Sequence, residues 1–167
     1  MAPKKLLKVL PDIERHINAL PMRVFTTSEF QQIISDRREI WQLPKNLSAK
    51  KLVDYLSEES QLKVAFFDFP NRKEIRLVWS DVPMLEVVSS LKEKAYFTHF
   101  TAMHLHQLTE QIPKTIYLNQ EQAQKIRRHD YLTQDRIDYA FKKDTRFSRN
   151  ISVYQNVRIC LLSGMHT

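Results

Sequence analysis

Two groups of cationic and amide side chains in the first half of the chain are of the types that contact nucleic acids. One group precedes and begins a predicted helix near residue 49, and the other lies at a predicted turn near residue 71. Arg and Asn donate hydrogen bonds to base edges or phosphates, whereas Lys acts mainly as a point charge. The sequence therefore predicts contact with double-stranded DNA through Arg37, Arg38, Lys45, Asn46, Ser48, Lys50, Lys51, Asn71, Arg72 and Lys73.

The alternative interpretation is that these side chains form the ordinary solvated surface of an α+β domain. Glu39, Asp54, Glu58 and Glu59 lie among them and dilute the positive charge. The whole chain of 167 residues carries a formal charge of +7. Such an excess permits a polyanionic partner but does not establish one.

A second basic region follows the helix predicted to begin after Thr133. Its cationic residues are Arg136, Lys142, Lys143, Arg146 and Arg149. Positive charges near the carboxyl end of a helix interact favourably with the helix dipole. The same residues also fit a surface for an acidic protein or a nucleic acid, and the sequence leaves both interpretations open.

The glycine content excludes several classes of enzyme. Gly164 is the single glycine. Phosphate-binding loops need several glycines so that backbone N–H groups can approach the anion, and nucleophile elbows need two. Most nucleotide-dependent chemistry and α/β-hydrolase chemistry are therefore excluded.

The histidines and the cysteine do not form a recognisable metal motif. His99, His104 and His106 are separated by five and two residues, whereas zinc needs three or four convergent ligands. The single cysteine, Cys160, cannot form an intrachain disulfide, and its apolar neighbours predict that it is buried. We expect no metal, no cofactor and no catalytic residues.

The elements that must position the DNA-binding candidates follow from periodicity and from capping and turn residues. We predict helices over residues 3–20, divided at Pro11, and over residues 28–38, followed by a helix over 49–57 capped by Ser48. Strands over 62–69 and 74–79, joined by a turn over 70–73, complete this half. Three helices followed by a hairpin are typical of a winged helix-turn-helix, whose third helix enters the major groove.

The second half is predicted to be a small mixed α/β domain. The boundary falls near residue 81, which gives domains over residues 1–81 and 82–167 in an α+β protein. The predicted elements are helices over 84–92 and 98–108, a strand over 113–118, a helix after Thr133, and strands over 151–154 and 157–162. No window offers the roughly 20 apolar residues of a membrane span, so we expect a cytoplasmic protein without a membrane partner.

Two segments of the second half resemble a known family. Residues 96–118, which run from Tyr-Phe-Thr-His-Phe through His-Leu-His-Gln-Leu to Pro-Lys-Thr-Ile-Tyr-Leu, are similar to a signature of the AbiEi-type antitoxins of abortive-infection toxin–antitoxin systems. Residues 132–141 resemble the helix that follows in that family, and the likeness extends to residue 164. The family usually has Gly where this chain has Gln107. Because the chain ends before the family's further helical region, we expect the second domain to be incomplete.

The resemblance implies a function as well as a fold. It implies an N-terminal domain that binds operator DNA, often at inverted repeats, and represses its own operon. It also implies a C-terminal domain that counters a nucleotidyltransferase-like toxin. We therefore predict a non-enzymatic, DNA-binding antitoxin of undetermined oligomeric state. The alternative is a protein-interaction module in which the winged helix serves as a scaffold and no longer binds DNA.

Overall fold

The computed structural model describes residues 3–122, 133–142 and 147–164. Within these ranges it is a mixed α+β protein with six helices and seven strands, which confirms the predicted α+β class. In chain order the elements are α1 (Pro3–Ala19), β1 (Val24–Thr26), α2 (Thr27–Arg37), α3 (Ala49–Glu59), β2 (Leu62–Phe69), β3 (Arg72–Trp79), α4 (Met84–Ser89), β4 (Tyr96–Phe97), α5 (His99–Leu105), β5 (Thr115–Asn119), α6 (Gln134–Phe141), β6 (Ile151–Tyr154) and β7 (Val157–Leu162). One sheet has the order β1-β3-β2 and the other has the order β4-β5-β7-β6.

The first helix is continuous through Pro11, where the sequence predicts a division into two helices. A proline inside a helix removes one hydrogen bond and costs about 3 kcal/mol or more. Leu6, Ile13 and Ile17 of α1 are buried in the core, and each such side chain contributes roughly 1.5–3 kcal/mol. Their burial outweighs the cost of the proline, so the predicted division is wrong.

Local capping signals place the next two helices. Thr26 accepts a hydrogen bond from the Glu29 amide at 3.2 Å, and the Glu29 carboxylate accepts one from the Thr26 amide at 2.7 Å. The Ser48 hydroxyl accepts a hydrogen bond from the Lys51 amide at 3.3 Å. The predicted starts of α2 and α3 are thus confirmed to within a residue. Strand β1, which has only three residues, was not predicted, because so short a segment has no detectable alternation.

The hairpin of β2 and β3 is longer and its turn is tighter than the sequence predicts. The strands pair in register from Leu62 opposite Trp79 to Phe69 opposite Arg72. Only Pro70 and Asn71 remain in the turn, so the predicted turn over 70–73 is wrong at its second half. Strand pairing continues to the last available residue, because it satisfies backbone hydrogen-bonding groups that the turn would leave to water.

The hairpin contributes to two hydrophobic cores through its two faces. Leu62, Leu77 and Trp79 pack in the first core with residues of α1, α2 and α3. Phe67 and Val78 pack in the second core with residues of α4, β5 and β7. Side chains on a strand alternate between the two faces of the sheet, so the hairpin joins the two halves of the chain. The domain boundary near residue 81 stays a prediction.

The second half contains the predicted elements with shorter helices. Helices α4 and α5 end three residues before their predicted ends, whereas β6 and β7 have their predicted bounds. Gln155 and Asn156 join β6 to β7 with φ angles of 48° and 65°, as a two-residue type I′ hairpin turn requires. Helix α6 begins after Thr133 as predicted and buries none of its side chains in the part of the chain described.

Across residues 3–122, 133–142 and 147–164, no helix combines the length and the apolar character needed to cross a bilayer.

Candidate nucleic-acid interface

The amino end of α3 presents the first group of DNA-binding candidates. Lys45, Asn46, Ser48, Lys50 and Lys51 are all exposed. Their backbone is anchored on the inner side, because Leu47, Leu52 and Leu56 are buried in the first core. The arrangement is a fixed helix start with cationic, amide and hydroxyl groups directed to solvent, which is chemistry suited to phosphates and base edges.

Arg38 organises the loop that leads to this helix. Its Nη1 donates to the Pro44 carbonyl at 2.7 Å, and its Nη2 donates to the Leu47 carbonyl at 2.9 Å. These two bonds bracket Lys45 and Asn46, and the side chain is half-buried. The structure therefore gives Arg38 a positioning role for the loop, whereas the sequence predicts it as a direct DNA contact.

Arg37 has different surroundings from its neighbour. It lines a surface groove of about 470 Å³ between α1 and α2, together with Asp12, His16 and Trp41. The ring of His16 meets that of Trp41 edge to face at 5.6 Å. Burial, and then the positive charge of Arg37, lower the pKa of His16 below its ordinary value. This groove had no signature in the sequence, because its residues come from α1, from the end of α2 and from the turn after it.

Arg72 lies on the face of the hairpin that packs toward the second half. Its guanidinium is 5.7 Å from the centre of the Phe69 ring, and its Nε is 3.3 Å from Oε1 of Glu74. The other carboxylate oxygen of Glu74 accepts a hydrogen bond from Arg76 at 3.0 Å. Arg72 is thus half-buried and ion-paired on the strand, whereas the sequence predicts it in a solvent-facing turn.

Arg76 forms the buried end of this ion network, and no feature of the sequence marked it as a buried residue. It is only 6% exposed. Its guanidinium donates to the carbonyl of Ser90 from Nη2 at 3.0 Å and from Nε at 3.2 Å. The alternation of polar and apolar residues in β3 predicts a solvated polar face, but the second half of the chain covers that face. A basic residue between two apolar strand residues gave no signal of burial.

Lys73 lies on the opposite face of the hairpin and is exposed. Its Nζ is 5.9 Å from the centre of the Phe66 ring. Val64 and Ile75 lie on the same face and are also exposed. Asn71 is exposed in the turn. Of the three candidates near residue 71, Lys73 and Asn71 are therefore accessible, and Arg72 is engaged internally.

The second basic region is only partly described. Arg136 lies on α6, Lys142 follows it and Arg149 precedes β6, and all three are exposed. Lys143 and Arg146 lie outside the described residues. Asp135 and Asp138 share α6 with Arg136, so the helix itself carries mixed charge.

Among the residues described, no group of three or more His, Cys, Asp or Glu side chains is placed to hold a metal ion. The Nδ1 of His99 lies 2.8 Å from the hydroxyl of its neighbour Thr98, and the His99 ring packs against Tyr117. Cys160 is buried as predicted, and burial raises the pKa of its thiol, which therefore stays protonated at neutral pH.

Comparisons with protein-family models, with curated proteins and with solved structures find no match for this chain. The function is therefore inferred from two exposed groups of residues, which are the amino end of α3 and the Lys73 face of the hairpin. Arg38 holds the loop that leads to the first group, and the Phe66 ring lies beside Lys73 in the second.

Proposed function

We propose that the chain is a non-enzymatic DNA-binding regulator whose first domain is a winged helix-turn-helix. The order of elements from α1 to β3, with the sheet order β1-β3-β2, supports this fold. In such a domain the third helix enters the major groove and the hairpin, or wing, contacts the flanking backbone. Helix α3 and the β2–β3 hairpin are the corresponding elements.

The observation that carries the proposal is the exposed amino end of α3. The Ser48 cap and the two Arg38 bonds hold the backbone of this segment. Lys50 and Lys51 then supply charge to phosphates, and Asn46 supplies an amide that can pair with a base edge. Holding these groups in place before binding reduces the conformational entropy lost when the complex forms.

The antitoxin part of the proposal is supported by the resemblance of the second half to the AbiEi family. We infer repression of the chain's own operon and a functional link to a nucleotidyltransferase-like toxin. The exposed side chains of Arg136, Lys142 and Arg149 are the proposed surface for an acidic partner or a nucleic acid. Detection of a toxin of this class, encoded beside the chain and neutralised by it, tests this part of the proposal.

A protein-interaction module is the second candidate, and a specific observation favours it. Leu108 and Ile112, which follow α5, are 72% and 81% exposed, and Met103 and Leu105 on α5 are also exposed. Clustered exposed apolar side chains mark protein-interaction sites. Under this alternative the chain would be captured with one protein partner and without nucleic acid.

The experiment is a titration of the full chain with the duplex upstream of its own reading frame, at several salt concentrations. We expect affinity to fall steeply with salt, because bound phosphates release counterions. The double variant Lys50→Ala/Lys51→Ala should lower affinity by about tenfold and reduce the salt dependence. Lys114→Ala/Arg158→Ala, which removes two exposed cations from the second half, is the charge-matched control and should change affinity little.

Salt-independent binding, or no binding of the folded wild-type chain to this duplex, would contradict the proposal. Equal losses for the α3 variant and the control would show that net charge alone causes the attraction. A protein partner captured in place of DNA would instead support the second candidate.

A further inference from the structure

We propose that the face of the hairpin formed by Val64, Phe66, Lys73 and Ile75 is a DNA contact surface in which Phe66 and Lys73 act as a pair. This inference rests on the proposed function. It starts from Lys73, which the sequence predicts as a DNA contact, and adds the apolar residues beside it, which the sequence does not mark. The contact is to the sugar–phosphate backbone, with the ammonium of Lys73 on a phosphate and the Phe66 ring against an adjacent deoxyribose. We call this surface the wing face.

The strand register places the wing face on the side of the sheet where the helices pack. Val64 pairs with Leu77, and Phe66 pairs with Ile75. Leu77 is buried in the core formed with α1, α2 and α3. Because side chains two residues apart share a face, Phe66, Ile75 and Lys73 continue the helix-packing face beyond the point where helices cover it.

The apolar side chains of this surface are partly open to solvent. Val64, Phe66 and Ile75 are 48%, 45% and 40% exposed. On the opposite face of the same strands, Ala65, Phe67 and Phe69 are buried in the second core. Strand β2 therefore carries apolar side chains on both faces of the outer hairpin, although only one of these faces is packed in a core.

The Phe66–Lys73 pair provides the chemistry of the contact. The Lys73 ammonium lies over the Phe66 ring at 5.9 Å from its centre, a distance at which a cation is attracted by the ring electrons. The ring holds the long lysine side chain near one position, which reduces the entropy lost on binding a phosphate. Asp68 lies directly opposite Lys73 in the strand register and is also exposed. It therefore places a negative charge near the Lys73 ammonium.

The area of the wing face favours a nucleic acid over a second copy of the chain. Three side chains with these exposures present no more than about 300 Å², whereas a stable protein interface buries roughly 800 Å² on each partner. In the proposed DNA complex this surface only adds to the contacts of α3, because phosphate neutralisation supplies much of the affinity. The protein's positive charge of +7 complements such a partner.

The test compares variants of the full chain in titrations against the upstream duplex. We expect Phe66→Ala to lower affinity by about tenfold with an unchanged salt dependence, because it removes an apolar contact and not a phosphate contact. We expect Lys73→Gln to lower affinity and to reduce the slope of log affinity against log salt by about 0.9. Phe141→Ala, which alters a more exposed phenylalanine on α6, is the matched control and should change neither quantity.

A second pair of variants covers the case in which Phe66→Ala unfolds. Val64→Ser and Val153→Ser alter exposed strand valines in the two sheets, and only Val64→Ser should weaken DNA binding. Sedimentation of wild type and Phe66→Ala measures self-association in parallel.

Each outcome distinguishes the two proposals. If the wild-type chain fails to bind the duplex, the proposed function fails. If wild type binds with the expected salt dependence and folded Phe66→Ala or Val64→Ser binds within twofold of it, only the wing-face inference is overturned. A wild-type dimer that Phe66→Ala dissociates, with DNA affinity unchanged, also overturns the inference and assigns the surface to a second copy.

Discussion

Arg72 and Lys73 are adjacent in the sequence, yet their side chains lie on opposite faces of the hairpin, Arg72 over Phe69 and Lys73 over Phe66. The cause is that β3 begins at Arg72, so both residues obey the alternation of a strand. A four-residue turn would have left both side chains in solvent. Their contributions to binding and to stability should therefore differ.

We expect Lys73→Ala to weaken DNA binding severalfold and Arg72→Ala to leave it within about twofold of wild type. Arg72 is held by Glu74 and Phe69, so its removal should instead lower the free energy of unfolding by about 1 kcal/mol. Fluorescence anisotropy with duplex DNA and urea unfolding of both variants measure the two effects. Equal losses of affinity for the two variants would contradict the opposed orientation.

The buried guanidinium of Arg76 should be important for stability. Arg76→Met leaves the Ser90 carbonyl and the Glu74 carboxylate without the donors that Arg76 provides. We expect the free energy of unfolding to fall by about 2–4 kcal/mol, the usual result of removing one partner from a buried ion network. Arg158→Met, at an exposed position on β7, is the control. Similar urea midpoints for the two variants would show that the network contributes little.

A glycine at position 107 should stabilise the chain. Gln107 has a φ angle of 57°, where a side chain with a Cβ is strained and glycine is not. We expect Gln107→Gly to raise the free energy of unfolding by about 0.5–1 kcal/mol, after allowing for the added freedom of the unfolded chain. Gln111→Gly, at a nearby exposed position without a positive φ, should destabilise slightly. A loss of stability in both variants would contradict the strain.

The environment of His16 should make stability depend on pH. Burial and the charge of Arg37 lower its pKa in the folded chain below the ordinary value of 6.5, so the unfolded chain binds the proton more readily. The contribution of neutral His16 to the free energy of unfolding is fully present above pH 6.5. It is lost as the pH falls from 6.5 through the lowered pKa of the folded chain.

Urea unfolding at several pH values measures this effect. His16→Gln should show a smaller loss of stability between pH 7.5 and 5 than wild type does. Arg37→Gln should raise the pKa of His16, which NMR titration of the ring follows directly. A His16 ring that titrates at or above 6.5 in the folded wild type would refute the prediction.

Local signals in the sequence were sufficient to locate most of the regular structure. Ser48 marks the start of α3, because a cap acts on backbone groups within three residues of it. The sequence predicts the start of α2 one residue late, and the structure identifies Thr26 as its cap. Gln155 and Asn156 mark the turn between β6 and β7, because the conformation of a two-residue turn depends on the residues within it. Pro11 was misleading, because its local cost is smaller than the burial that the whole of α1 gains in the core.

The sequence predicted which residue types form the candidate interface, but it did not predict the directions in which their side chains point. Lys45, Asn46, Lys50 and Lys51 are exposed at the start of α3 as the sequence indicates. Arg38 is a positioning residue because the carbonyls that it binds belong to a loop up to nine residues away. A sequence shows that Arg38 is cationic, but it does not show which backbone groups the fold brings to it.

The sequence by itself determined the α+β class, the start of α3 at its Ser48 cap and the presence of the hairpin, because each depends on neighbours within a few residues. Tertiary structure alone decided that Arg72 and Arg76 turn inward while Phe66 and Lys73 face outward. Alternation along a strand separates two sets of side chains, but what covers each face is set by distant segments. Here α4 and Ser90, which follows it, cover one face, and the helices of the first core cover only the base of the other.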